Sequence, residues 1–268
     1  MLTKNDIINQ LALMGGRRDG VVIVHSSLRS VGQIEGGGEA LLDALIEYFT
    51  ADGGLLCVPT HTWANVGVKG KITLDMANPE SHIGALSSIA LRDERGLLTE
   101  NPTHSMVIFG DRSRAERFAA DESELLTPTA PKSCYGKLFA LAGSVLLIGV
   151  SQSSNTYIHA LDEMLGAFDR MSGDPLLVTV KRPTGEVVER EWYLYDESAG
   201  DLSYRFPKLD TAFRYHEAIT DGFIGRAPSQ LCDAVKMKNT LELIYKNAEG
   251  RDPLADEMPI PPSLYCAE

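Results

Sequence analysis

Hydrophobic positions in this chain alternate between short unbroken runs and stretches with helical spacing. Residues 21–24, 55–59 and 145–150 are continuous apolar runs, too short for helices and rich in β-branched residues, and read as buried strands. Between them the period changes to that of a helix. Thr3 caps a segment with Ile7, Ile8, Leu11 and Leu13 apolar, which Gly15-Gly16 ends. Leu41, Leu42, Leu45, Ile46 and Phe49 mark a second helix after the glycines 36–38. Ile83, Leu86, Ile89 and Ala90 mark a third, running from Ser81 to Arg95. Further helices are expected over 132–142, from the polar turn 151–155 onward, over 208–218 and over 228–248. Segments 175–182 and 187–195 alternate apolar and polar residues around Pro183-Thr184-Gly185-Glu186, the mark of a hairpin. No internal repeat, low-complexity linker or shift in composition divides the chain. The pattern predicts a single-domain mixed α/β layered fold over 1–268, with a central sheet flanked by helices and an extended, acidic, proline-rich tail over 249–268.

Candidate chemistry gathers where strands end. The run 145–150 breaks into Ser151, Gln152, Ser153, Ser154 and Asn155 and then enters a helix carrying His159. Asp162 and Glu163 follow three and four residues later, so both carboxylates fall on or near the imidazole's face. A carboxylate that holds a histidine beside a strand end keeps a neutral, oriented base available near pH 7. The first strand runs into His25-Ser26-Ser27-Leu28, and hydroxyls and free N–H groups at that edge of an open sheet are where a ligand is usually received. The glycines nearby match neither G-x-G-x-x-G nor a G-K-[ST] loop, which excludes those nucleotide sites. Trp63 and Asn65, just past the second strand, suit a substrate wall, and Pro102 fixes a turn that presents His104 and Ser105. His25, His61, His82 and His216 read as structural or surface residues. Asp196 and Glu197, after the hairpin, suit the ammonium groups of a cationic substrate, and an exposed acidic patch would explain them equally.

Charge narrows the partner. Twenty-five bases against 37 acids leave a formal net charge of -12, which argues against nucleic acid and is compatible with a cationic small molecule. Four scattered cysteines without a C-x-x-C pair fit a reducing compartment. No run approaches the length of a membrane span and the first residues lack a signal-peptide core, so a cytoplasmic protein is expected, without membrane contact, as a monomer or homodimer. Six histidines among many acids raise a metal-dependent hydrolase, but H-E-x-x-H and close H-x-H clusters are missing, and no metal is expected. A non-catalytic module that only binds a small molecule is the remaining alternative.

VVIVHSSLRSVG, NPTHSMVIFG, the segment from Pro131 to Leu138 and GSVLLIGVSQSSNTYIHALDE, in that order, resemble the aminoglycoside 3-N-acetyltransferase (antibiotic N-acetyltransferase) family over most of the chain. The resemblance implies a fold unlike that of the GNAT acetyltransferases. It also implies acetyl transfer from acetyl-CoA to the 3-amino group of a 2-deoxystreptamine aminoglycoside, or to another small amine such as an aminophosphonate. The family's H-x-x-E element falls on His159 and Asp162, with the acid one methylene shorter and Glu163 beside it, so either acid could orient the imidazole. Acetyl-CoA is expected against Ser26, Ser27, Leu28, Arg29, Val31 and Gly32. Donors for the oxyanion are expected around Ser105 and Met106, and His104 is a second candidate catalytic residue beside His159. Attack of an amine on a thioester needs no acyl-enzyme, so a ternary complex is expected.

Overall fold

Runs that are apolar at every position must be covered on both faces, and here they are. The computed structural model describes residues 1–61, 72–198 and 200–266. The strands among them are β1 (Val21–Ser26), β2 (Leu55–Pro59), β3 (Ile72–Asp75), β4 (Leu97–Leu98), β5 (Met106–Gly110), β6 (Ser144–Ile148), β7 (Leu176–Lys181), β8 (Val187–Trp192), β9 (Ile219–Ile224) and β10 (Ala227–Asp233). The α-helices are α1 (Lys4–Leu13), α2 (Leu28–Val31), α3 (Gly37–Thr50), α4 (Ala85–Arg92), α5 (Arg112–Ala119), α6 (Lys137–Ala140), α7 (Tyr157–Leu165), α8 (Asp210–Tyr215) and α9 (Ala234–Asn247).

Seven strands form a central sheet in the order β4-β5-β2-β1-β6-β10-β9. In it β1 lies parallel to β2 and β6, while β5 and β10 flank that trio antiparallel. Alternate side chains go to opposite faces. Val21, Ile23, Cys57, Val145 and Leu147 join one apolar layer with Tyr157 and Leu161 of α7 and Met237 and Leu241 of α9. Val22, Val24, Val58, Leu146 and Ile148 join the other, with Ile7 and Leu11 of α1, Leu41 and Leu45 of α3, and Leu86 of α4. The result is a sheet sandwiched between helical layers, the mixed α/β architecture expected. Thr3 and Asp6 form a reciprocal capping box at the start of α1, which Met14 rather than Leu13 helps seal: Leu13 is exposed. Among the described residues no helix is long and apolar enough to cross a membrane.

The predicted hairpin forms as β7 and β8, with Gly185 at positive φ in the turn. It belongs to a separate three-stranded sheet, β3-β7-β8. Arg190 of β8 donates to the carbonyls of Glu100 (2.6 Å) and Glu122 (2.9 Å), and the indole N–H of Trp192 donates to Thr103 Oγ1 (3.2 Å). These bonds tie the small sheet to the turn that carries His104.

Three expectations are corrected. Residues 228–233 are strand, not helix, and pair with β9 and β6. Of 132–142 only α6 is α-helical, and 208–218 divides between the end of a 3-10 segment and α8. The acidic, proline-rich tail packs onto the body, with Leu254, Ile260 and Tyr265 buried in the layer of α9. Its Asp252 accepts a bidentate pair from Arg170 (2.6 and 2.9 Å).

Gly32, expected to touch a cofactor, has a backbone reason to be glycine. Its φ of 93° and ψ of -155° lie where L-residues are strained, and a Cβ there would stand 2.7 Å from Arg226 Nε. Gly32→Ala is expected to lower stability by about 1–3 kcal/mol, read as an earlier urea midpoint at unchanged slope.

Candidate active site

Because β1, β2 and β6 are parallel, their carboxyl ends share one edge of the sheet, and antiparallel β5 begins there. Four histidines meet that edge: His25 within the end of β1, His61 after β2, His104 before β5, and His159 in α7 after β6. All four line a cavity of about 640 Å³. This is the place where an open α/β sheet receives a ligand.

Each imidazole is held differently. The His159 ring stacks on Tyr195, with centroids 4.2 Å apart and planes 22° apart, and meets the edge of Phe206 at 4.7 Å. The backbone N–H of His104 donates to Asn101 Oδ1 (2.9 Å), and its Nδ1 lies 2.9 Å from Thr103 Oγ1. Asn101 is itself locked by donating to Glu122 Oε2 and the Pro128 carbonyl, each at 2.9 Å. His61 takes a positive φ of 27°, a strained value for a non-glycine residue. Its Nε2 lies 3.0 Å from the buried hydroxyl of Tyr135, and its ring sits 4.5 Å from that of His104. His25 is 8% exposed, and its Nε2 has no hydrogen-bond partner among the described residues.

Burial keeps these rings neutral. It pushes the pKa of His25 down to about 4. It pushes His104 and His159 down to about 3, with the neighbouring His159 ring adding to the effect at His104 and Arg170 at His159. His61 is driven well below the ordinary range by burial, then by His104, His25 and His159. A site of neutral imidazoles offers ring nitrogens that can accept only from a strongly acidic partner and N–H groups that can donate.

The hydrogen bonds of the two acids expected to orient His159 go elsewhere among the described residues. Asp162, 1% exposed, turns inward. Its Oδ2 accepts from Arg170 Nε (2.6 Å) and its Oδ1 from the Tyr245 hydroxyl (2.5 Å). Burial pushes its pKa up, although Arg170 and Tyr245 both favour the carboxylate. Glu163 accepts from the hydroxyls of Thr127 and Thr129, the latter at 2.9 Å, and Thr129 is in turn hydrogen-bonded to the Tyr195 hydroxyl.

Among the residues expected against the cofactor, Ser26 lines the cavity. The Ser27 N–H is spent on the Ile148 carbonyl (2.8 Å), and its hydroxyl accepts from Ser30 (2.9 Å). Leu28 packs toward the α3 layer, Val31 is buried within that layer, and Arg29 is exposed. Ser105 and Met106 are fully buried. The Ser105 hydroxyl pairs with Thr60 (2.8 Å) and the Met106 N–H donates to Thr99 Oγ1 (3.0 Å), so these two groups are engaged within the protein. Asp196 and Glu197 do line the cavity, beside Asp169 and Asp201, and all four are exposed, so this wall of the cavity is acidic. Trp63 and Asn65 lie outside the described residues.

Sequence reasoning passed over His25, His61, Tyr195 and Arg170. The two histidines had a legible signal, since each sits at the end of an apolar strand run, the position that singled out Ser26.

Comparisons with known proteins bear on this site. A family model described as aminoglycoside 3-N-acetyltransferase matches residues 23–244. The chain is 28% identical over 167 residues to aminoglycoside N(3)-acetyltransferase IV of Salmonella, a match covering 60% of this chain and 59% of that protein, so it spans less than two-thirds of that relative. It is 23% identical over 273 residues to the SPbeta prophage-derived aminoglycoside N(3')-acetyltransferase-like protein YokD of Bacillus subtilis, with 93% of this chain and 94% of that protein covered. Among solved structures, a histidine-to-alanine mutant of aminoglycoside acetyltransferase AAC(3)-IVa in complex with gentamicin superposes with a TM-score of 0.76. It shares 25% identity, over 99% of this chain and 94% of that one.

Proposed function

For a chain that belongs to the aminoglycoside 3-N-acetyltransferase family, we propose transfer of the acetyl group of acetyl-CoA to the 3-amino group of a cationic aminoglycoside. Both substrates are bound at once, and His159 is the general base. The observation that carries this reading is a set of neutral imidazoles facing a cavity whose wall bears Asp169, Asp196, Glu197 and Asp201. Carboxylates attract the ammonium groups of the drug, and the imidazole manages the proton of the one amine that reacts.

The acceptor nitrogen attacks the thioester carbonyl, an N–C bond forms, and the C–S bond then breaks to release coenzyme A, whose sulfur takes the proton the nitrogen has lost and leaves as the thiol. An imidazole with a pKa near 3 is a weak base toward a free ammonium ion. As the N–C bond forms, however, the nitrogen becomes far more acidic, and His159 takes its proton at that stage and passes it to the departing sulfur. An N–H of His104, on the other side of Tyr195, suits the developing oxyanion. Holding both reactants in one cavity supplies much of the remaining acceleration.

A thiol-release assay with acetyl-CoA and a panel of aminoglycosides tests the reading. Release is expected with 2-deoxystreptamine drugs and is expected to fail when the 3-amino group is blocked. If coenzyme A binds but no drug supports release, the acceptor lies among other small amines, such as aminophosphonates. Failure to bind coenzyme A overturns the reading. The pH profile is a second check. Since burial holds His159 neutral down to about pH 3, the rising limb of kcat/KM is expected to follow the acceptor amine and to move when an acceptor of different basicity is used. A limb fixed near pH 6.5 for every acceptor would instead report an ordinary imidazole.

A further inference from the structure

Tyr195 stands between the two imidazoles that face each other across the site. The His159 ring stacks flat on it, with centroids 4.2 Å apart, and His104 meets it edge-on at 5.8 Å and 86°. It lies just beyond β8 and is fixed by a β-bridge to Met171, in the segment between α7 and β7, so its backbone is held from outside α7. Its hydroxyl is fixed as well. With Glu163 ionised, Thr129 spends its single proton on Glu163 Oε2 (2.9 Å), so the Tyr195 hydroxyl must donate to Thr129 Oγ1. The ring is therefore pinned at both ends, by its backbone and by a hydroxyl relay ending on a half-buried carboxylate. Among the described residues no hydrogen bond to a side chain holds the His159 ring, so its plane is set by what it packs against, Tyr195 and Phe206.

We infer that Tyr195 is a positioning residue that sets the plane of His159, and that Glu163 acts on the site through Thr129 and Tyr195 instead of by hydrogen-bonding the imidazole. The inference rests on the functional reading above for what the imidazoles do. It gives the acid beside Asp162 a part that spacing along the helix cannot supply: it is the far anchor of the stacking ring. Burial, with Glu163 and Asp162 nearby, holds the Tyr195 phenol well above its ordinary pKa, so it stays a donor throughout the working range. The charged and titratable groups around the stack are His104 and His61 on one side and Arg170, Asp162 and Glu163 on the other.

Two variants separate the ring from its anchor. Tyr195→Leu removes the stack, and kcat is expected to fall by about 10–100-fold, the scale of a misplaced reacting group, with the KM for acetyl-CoA within about threefold of wild type. Tyr195→Phe keeps the ring and cuts the relay to Glu163, with an expected loss of about 3–10-fold in kcat. A readout independent of turnover is the NMR titration of His159 in protein carrying isotope-labelled histidine. In Tyr195→Leu its midpoint is expected to rise toward the free-imidazole value of about 6.5 as water reaches the ring. A Tyr195→Leu protein with wild-type kcat and an unmoved His159 titration overturns the inference. Wild-type kinetics in Tyr195→Phe overturn the part given to Glu163. If the wild-type protein transfers acetyl groups to no amine, the functional reading fails by itself, and the titration, which needs no substrate, still decides whether Tyr195 sets the environment of His159.

Discussion

Replacing His159 with alanine is expected to lower kcat by at least about 100-fold while leaving acetyl-CoA affinity within about threefold, since a positioned general base is worth about 10²–10⁴ in rate. The imidazole is half-buried, so its loss removes little of the core. Its ring touches Tyr195 and Phe206 and orders neither through a hydrogen bond, so the cavity wall survives the truncation. Coenzyme A titration by calorimetry beside steady-state thiol release separates the two effects. A variant that turns over near the wild-type rate would move the proton-accepting role to another imidazole. His104→Ala, measured in parallel, would then show the larger deficit.

Asp162→Ala is expected to act in the opposite sense, costing about 3–5 kcal/mol of stability, because removing one partner of a buried pair leaves the other unpaired. Arg170, 15% exposed at its side chain, would lose its bond to Asp162 and keep only Asp252. The Tyr245 hydroxyl would lose its acceptor in the interior. Urea denaturation reads the loss directly. The same variant distinguishes two roles for the acid. If Asp162 oriented the imidazole, the deficit would fall on kcat in a protein of normal stability. The observed geometry places the deficit on folding, with kcat in the surviving folded fraction reduced less than in His159→Ala.

What the sequence disclosed follows from which forces are local. The apolar runs of β1, β2 and β6 declare themselves because both faces of each strand are covered, and the polar turn after β6 announces the helix of His159. The hairpin of β9 and β10 was hidden by Gly222, Gly225 and Pro228, residues that ordinarily interrupt a strand. Pro228 pairs with Phe223 of β9 one residue short of the stretch in register with β6, and its carbonyl still accepts from the Gly149 N–H (2.9 Å). Spacing correctly put Asp162 one turn from His159 but could not tell that α7 turns that acid toward α9 and Tyr245. The stack of His159 on Tyr195 joins α7 to a residue beyond β8, and periodicity within one segment carries no trace of such a contact. Ser105 and Met106 look exposed in sequence because they follow a proline turn, yet both are buried, the Ser105 hydroxyl paired with Thr60 and the Met106 N–H donating to Thr99.

The strand order also governs how this protein comes into being. Val22 of β1 pairs with Ser144 of β6, and β6 waits in turn for Cys232 of β10, so the middle of the sheet closes only after most of the polypeptide has been brought together. Long-range parallel pairing is slow, and until it is complete the apolar faces of β1 and β6 stand open to self-association. The four imidazoles approach one another only when those strands are in register. Assembly of the four-histidine edge after dilution from denaturant is thus expected to trail the helical signal, read by histidine NMR beside far-UV circular dichroism.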